Sequence, residues 1–280
     1  MSRYFKNCHL LLVVAISFFS SCNSPRYIYA ASPPNNPNFS EKGQSKLAAY
    51  YSSVLGHSST EKLAAGLDLH GAFAISDHWA VISSYYQRTE KDVFTEVDFN
   101  DPFKNSVVKY KRNSVELGAG YYTAVNAGKS IFINLYAGAA TGKLAIDDNG
   151  TDQNNMNYTR YYSNHASKFF FQSAVNFIPS PNFNLSFIVK STYVQYRNIH
   201  TSYTIDELQT LRLDEINNKT FNFIEPAVNF EIGLTKYPGI KLSALLSWVA
   251  NHPFYDNNIR YSNSSIGLTL DFSKLGKWSK

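Results

Sequence analysis

The side chains able to do chemistry in this 280-residue chain are scattered rather than clustered. His57, His165, His200 and His252 fall in or near polar connecting segments, where four imidazoles at one rim could bind a transition metal. No close-spaced pair such as H-x-x-x-H accompanies them, so four solvated loop residues is the simpler reading. His70 stands two residues from Asp68, on the same face at a period of two. That spacing suits a catalytic dyad, but it equally suits an interior hydrogen-bonded pair, and the second is expected. Glu225 and Glu231 are six residues apart on one strand, roughly 20 Å at the usual rise, too far for paired carboxylates to share a bond. No Gly-rich phosphate loop, G-x-S-x-G or Cys/His metal spacing is present. No catalytic residue, metal ligand or cofactor is therefore expected.

The elements that must carry these residues alternate with a period of two from Lys46 onward. Ile131, Ile133, Leu135, Ala137 and Ala139 share one face, opposite Phe132, Asn134, Tyr136 and Gly138. Ile240, Leu242, Ala244, Leu246 and Trp248 oppose Lys241, Ser243 and Ser247. Ten strands are expected, at about 46–56, 62–75, 78–90, 108–123, 130–145, 158–178, 183–198, 217–236, 239–251 and 258–272. Short turns (76–77, 126–129, 179–182, 237–239) alternate with longer polar loops, the longest at about 91–107, 146–157 and 198–216. That order predicts an all-β, antiparallel up-and-down transmembrane barrel of about ten strands. Both chain ends are expected on the short-turn side, which is periplasmic in outer-membrane barrels.

The polar face decides which side is inside. It holds Asp68, His70, Glu116, Lys168, Lys190, Glu225, Glu231, Lys241 and Asp271 among many small residues such as Gly118, Gly120, Gly138 and Ser243. A solvent-facing sheet carries more Lys and Glu. Few charges among small residues suit a narrow lumen, with the opposite charges neutralising one another. The apolar face then meets hydrocarbon, and closure pairs every backbone group. A soluble, lipocalin-like carrier would invert this arrangement. The doublets Tyr50-Tyr51, Tyr85-Tyr86, Tyr121-Tyr122 and Tyr161-Tyr162 could form interfacial girdles, or simply reflect β propensity. Pro226 inside a strand requires a bulge or rim position.

The amino terminus reads as a secretory signal over 1–21, with Arg3 and Lys6 before the apolar run Leu10–Phe19 and small residues ahead of Cys22. Phe19-Ser20-Ser21-Cys22 resembles a bacterial lipobox, which makes Cys22 the lipidation site; ordinary cleavage near Ala30 or Ala31 is the alternative. Cys8 lies inside the signal, so no disulfide is expected. Residues 22–45, rich in proline, read as a lipid-anchored extended tether before a barrel over 46–272 and a C-terminal tail at 273–280. Low charge (17%) with 15% aromatics excludes a disordered chain. The formal charge of +5 is spread along the chain, so nucleic acid is not an expected partner.

The segments Pro34-Asn35-Asn36-Pro37, Phe39-Ser40-Glu41-Lys42-Gly43, Ala74-Ile75-Ser76-Asp77-His78-Trp79 and Phe223-Ile224-Glu225-Pro226-Ala227 are similar to those of small outer-membrane β-barrel (lipo)proteins of the Bacteroidota. The resemblance implies an outer-membrane fold and location and adds almost nothing on activity. A non-enzymatic barrel lipoprotein follows, structural or surface-binding through its long external loops. Its expected partners are outer-membrane lipid, the barrel-assembly and lipoprotein-sorting machineries, and an external ligand of unknown chemistry. A narrow channel for small solutes is the alternative, although ten strands enclose little free lumen.

Overall fold

The structure is a computed structural model that describes residues 26–53, 61–95, 102–217, 219–234, 236–250 and 258–275. A short parallel pair is formed by β1 (Tyr29–Ala30) and β11 (Ile259–Arg260). The other ten strands close one antiparallel barrel, each bonded to the next along the chain. They are β2 (Ser45–Ser53), β3 (Glu61–Ala74), β4 (Trp79–Phe94), β5 (Phe103–Ala124), β6 (Ile131–Asp152), β7 (Asn157–Ser180), β8 (Phe183–Thr201), β9 (Thr220–Leu234), β10 (Tyr237–Trp248) and β12 (Ser262–Asp271). The seam runs between β12 and β2, paired from Ser264↔Ser53 to Asp271↔Lys46. Closure leaves no free sheet edge, so Pro226 must sit where a ladder ends. It lies just past Ala227↔Ser247, the last pair between β9 and β10.

The short turns follow local polar chemistry. Asn126 Oδ1 accepts from the backbone N–H groups of Ser130 (3.0 Å) and Ile131 (2.9 Å), and Ser76 Oγ accepts from that of Trp79 (3.0 Å). Lys129 takes the left-handed conformation, φ 48°, that this compact turn requires.

Around the lower half of the barrel, nearer these turns, apolar side chains point outward. Leu69, Val81, Leu117, Leu135, Phe171, Val189, Ile232, Leu246 and Leu268 are all exposed there. Their strand neighbours Glu116, Asn134, Gln172, Lys190 and Ser247 are buried inside. This is the pattern of a wall facing hydrocarbon around a polar lumen, the reverse of a soluble carrier.

Toward the loop end the pattern inverts along the same strands. In β5, Lys109, Lys111 and Asn113 face out while Val108 and Tyr110 are buried. In β6, Lys143 and Asp147 face out while Leu144 and Ile146 are buried. Above the apolar band the wall therefore becomes the shell of a water-soluble domain with an apolar core, which Phe94, Phe103, Val194, Tyr196, Leu211, Leu213 and Ile216 extend.

This upper storey corrects the expected loops. Most of 91–107 and 146–157 is strand, because β4 to β7 continue well beyond the band. The wall is uneven: β5, β6 and β7 have 22, 22 and 24 residues, while β2, β12 and β10 have 9, 10 and 12. The 198–216 connection folds into a short helix, α1 (Ile205–Thr210), opened by a capping box of Thr204 and Glu207. A second short helix, α2 (Phe272–Leu275), follows β12 and runs into the expected C-terminal tail.

The tyrosine doublets do not form girdles as pairs. Tyr51, Tyr85 and Tyr161 are exposed while Tyr50, Tyr86 and Tyr162 are buried, as a period of two demands.

The largest correction concerns the tether. Arg26–Phe39 does not run outside the barrel; it is extended inside the lumen and almost wholly buried. Gly43 (φ 81°) reverses the chain at the short-turn end, where its N–H donates to Ala74 O at 2.9 Å before β2 begins. Arg26 consequently lies at the loop end, opposite to where both chain ends are expected.

Candidate functional site

An extended chain inside a barrel must satisfy its own peptide groups without a neighbouring strand. Pro33, Pro34 and Pro37 lack an N–H, so the plug presents more acceptors than donors. The wall answers with side-chain donors. Tyr86 Oη donates to Pro33 O (2.9 Å), Gln172 Nε2 to Asn35 O (3.0 Å) and Asn134 Nδ2 to Pro37 O (3.0 Å). Arg88 reaches Ala31 O at 3.2 Å, while Arg112 and Lys46 donate to the carbonyls of Tyr27 and Asn38. In the other direction Asn35 Nδ2 spans the paired carbonyls of Gly71 (3.0 Å) and Ser83 (2.8 Å).

At the loop end the plug is clamped by ions. Asp148 is fully buried and accepts from Arg26 Nε (2.6 Å), Tyr203 Oη (2.7 Å), Tyr158 Oη (2.8 Å) and Ser106 Oγ (3.1 Å). Arg26 lies between the rings of Phe94 and Phe103, 5.5 and 5.4 Å from their centroids. Beside it Arg260 of β11 contacts Glu90 and Asp92, each at 2.5 Å, with its guanidinium 4.2 Å from the Tyr27 ring centroid. Arg112 Nε adds a 3.5 Å contact to Glu90.

The expected lumen residues are all placed inward, though not all in one network. Lys190 Nζ donates to Glu116 at 2.8 Å, and Lys241 lies 3.6 Å from Glu231. Asp68 pairs with Arg88 at 3.3 Å and accepts from Ser52. His70 is not hydrogen-bonded to it, so neither a dyad nor the expected interior pair forms; the imidazole sits between the rings of Tyr50 and Tyr86, with centroids 5.2 and 5.7 Å away. Glu225 accepts from Tyr29 of the plug and from Thr192 (3.3 Å), so it lies well apart from Glu231. Lys168 is half-buried, its Nζ 5.7 Å from the Tyr29 ring centroid. Asp271 belongs to the short-turn end, where Lys274 of α2 lies 3.7 Å away.

The loop-end ions Arg26, Arg88, Glu90, Asp92, Arg112, Asp148 and Arg260 were not foreseen. Arg88 and Glu90 continue the inward parity of Ile82, Ser84 and Tyr86, and Asp148 continues that of Leu144 and Ile146. Arg88 and Glu90 lie within the expected strand 78–90 and Asp148 just beyond 130–145, so following that parity to the strand end and past it would have found those three. Arg26 and Arg260 carry no such signal, because neither lies in the wall.

Little lumen remains open. A space of about 60 Å³ persists beside Arg88, Arg112, Asn164 and Lys168, enough for a few waters. His165 and His200 are exposed on the outside of the loop end, and His57 and His252 lie outside the described residues. Among the described residues no His/Cys/Asp/Glu group is arranged to hold a metal. On the rim, Arg160 clasps Glu207 of α1 through two hydrogen bonds of 2.8 and 2.9 Å. Partial burial pushes the Glu207 carboxyl up, but these bonds and the Thr204 N–H outweigh it and hold the group below the usual carboxylate range.

Fold and lumen together define a closed, ten-stranded barrel of the transmembrane type, filled by its own amino-terminal segment. Neither a protein-family model nor a curated protein sequence matches the chain. Among solved structures it is similar to the translocator domain of the autotransporter NalP from Neisseria meningitidis, at 8% identity and a TM-score of 0.49, covering 85% of this chain and 90% of that one. The β domain of the Bordetella autotransporter BrkA gives 10% identity and a TM-score of 0.44, covering 84% and 100%. The outer membrane protease OmpT from Escherichia coli gives 11% and 0.41, covering 82% and 94%. Likeness this distant says nothing of activity.

Proposed function

We propose that this chain is an outer-membrane barrel lipoprotein, lipidated on Cys22, that does no chemistry and conducts no solute. In this reading the lower wall anchors it in the outer membrane and the upper storey is a rigid surface platform for an external partner. One observation carries the proposal: the inversion from apolar-out to charged-out within single strands, seen at Leu117 and Lys111 of β5. The eleven residues Phe103–Asn113 rise roughly 25 to 30 Å at ordinary strand rise and barrel tilt, so the platform stands clear of the bilayer. Non-conduction is supported by the plug, and the non-enzymatic reading by the commitment of the loop-end ions to clamping it. Cleavage at Cys22 is supported over cleavage near Ala30 or Ala31, because the latter would remove Arg26 and Tyr29 from the lumen.

The test is modification of intact cells with a membrane-impermeant amine reagent, read residue by residue. Lys109, Lys111 and Lys143 are expected to react at once, and Lys129 in a short turn only after permeabilisation. Reaction of Lys129 in intact cells with protection of the other three would overturn the orientation. Release of the protein without detergent would overturn the membrane anchor.

A further inference from the structure

Cross-strand register leaves a hollow in the lumen between two charged levels. Arg88 and Arg112 are direct partners across β4 and β5, both facing inward, and their row continues through Leu144 to Asn164. The next inward row holds Ser114, Gly142 and Ala166, side chains too small to fill the space in front of them. Lys168 stands one row below. The open volume of about 60 Å³ lies in this gap, with Tyr29 and Ser32 of the plug on its inner side and, among the described residues, no Asp or Glu in its lining. Like charges directly opposite on a ladder repel. Asp68 and Glu90 offset Arg88 and Arg112 only at 3.3 and 3.5 Å. Lys168 has less: of the described lumen cations it alone has neither a hydrogen bond nor a carboxylate within 4 Å. The carboxylates that face it are engaged by other donors, Glu116 by Lys190 (2.8 Å) and Tyr86 (3.2 Å), Glu225 by Tyr29 and Thr192. Asn164, 1% exposed, also lines the space, and neither of its amide atoms makes a hydrogen bond. A buried ammonium and a buried amide donor that lack an acceptor are each costly.

We propose that this hollow is a binding site for one small inorganic anion of chloride size, held between Lys168 below and Arg88, Arg112 and the Asn164 amide above. An ion that only accepts hydrogen bonds supplies what these donors lack, and it relieves the repulsion between the paired arginines. The volume admits one monatomic anion with a few waters and excludes a larger organic acid. Its contacts come from β4, β5 and β7, and Tyr29 and Ser32 close over it, so the anion ties three wall strands to the plug. It is a structural ligand of the filled lumen, enclosed rather than conducted.

The test refolds the protein from urea into lipid vesicles in sodium gluconate, with chloride exchanged in at constant ionic strength. The urea midpoint is expected to rise by about 0.5–1.4 M for each tenfold of chloride above its dissociation constant, and bromide should act alike. Lys168→Gln removes the unpaired cation, and Ala166→Leu independently fills the hollow with hydrocarbon; each should abolish the chloride dependence. Lys109→Gln, on the outer wall, should keep it. Crystals of the parent protein refolded in bromide should show one anomalous peak in contact with Lys168 Nζ, a reading that holds even where a variant fails to fold. A hollow without bromide in those crystals, or a midpoint indifferent to chloride, overturns the proposal and leaves a pocket of water only. Chloride dependence that survives both variants overturns it as a general salt effect. Stabilisation by phosphate but not by chloride overturns the monatomic ligand.

Discussion

Breaking the clamp between Arg26 and Asp148 should cost the barrel about 3 kcal/mol. Removing one partner of a buried ion pair costs about 3–5 kcal/mol, because the other charge stays buried and uncompensated. In Arg26→Met the Asp148 carboxylate keeps Tyr158, Tyr203 and Ser106 as donors, at 2.8, 2.7 and 3.1 Å, which places the loss at the low end of that range. Asp148→Asn should cost about as much, since the guanidinium is then left between Phe94 and Phe103 with Ser106 at 2.8 Å. The double variant should be no worse than either single one, giving a coupling of about 2–3 kcal/mol in the mutant cycle. Urea unfolding in lipid vesicles, followed by tryptophan fluorescence, measures all three. With a slope of about 1–3 kcal/mol/M each single variant should lose about 1–3 M of midpoint. Lys109→Met, exposed on the same storey, should stay within about 0.5 kcal/mol of the parent. Simple additivity of the two losses, or a loss no larger than that of Lys109→Met, would refute the clamp.

Leu246→Arg should cost about 2–4 kcal/mol by placing a cation in hydrocarbon. A fluorophore on the thiol of Leu246→Cys should be quenched by lipid-chain quenchers, while the thiol of Ser247→Cys, facing the filled lumen, should resist labelling until unfolding. Gly138→Ala should destabilise by about 1–3 kcal/mol, because a Cβ there would meet Leu117 O at 2.2 Å and Gly118 Cα at 2.7 Å, both backbone; Gly128→Ala, with nothing nearer than 3.6 Å, should be neutral in the same unfolding assay. The Glu207 carboxyl is held low in the folded protein, so its contribution is present above the unfolded value of about 4.3 and is lost as pH falls through the folded one. For this rim pair the contribution is below about 1 kcal/mol, and Glu207→Gln should flatten that acid-side part of the stability profile. An unchanged profile would count against the clasp with Arg160.

Strand positions were legible because lipid and lumen impose opposite demands on successive side chains. Leu246 and Ser247 take the faces expected of them, as do Glu116, Lys190 and Glu231. The top of the upper storey, at 91–94, 103–107 and 146–152, was misread as loop for a physical reason. Beyond the change of apolar side, stretches such as Lys104-Asn105-Ser106 and Asp147-Asp148-Asn149-Gly150 offer an alternation scan no apolar residues to follow. In β5 the odd residues Val115 and Leu117 face lipid, whereas the even residues Val108 and Tyr110 form the core above them. The strand continues unbroken through that switch, so a period held while its phase reverses marks where a barrel wall leaves the membrane.

The plug was illegible for the opposite reason. Pro33, Asn35, Asn36 and Pro37 have no period, and a proline-rich polar stretch looks the same whether water or a barrel surrounds it. What distinguishes the two lies in the wall, in an excess of long donors facing inward at separate levels. Arg88, Arg112, Gln172 and Lys46 give hydrogen bonds to plug carbonyls, and a lumen closed only by wall-to-wall ion pairs would not need them. The plug is joined to β2 by the reversal at Gly43, and β2 forms the seam with β12. Sliding the plug out of a finished barrel would strip these carbonyls of their donors and expose Asp148 without Arg26. Closing the seam last, around a segment already lying against β3 to β8, strands none of these groups. The contacts that fill the lumen are therefore the ones lost if the amino-terminal segment leaves a finished barrel, and they hold it there.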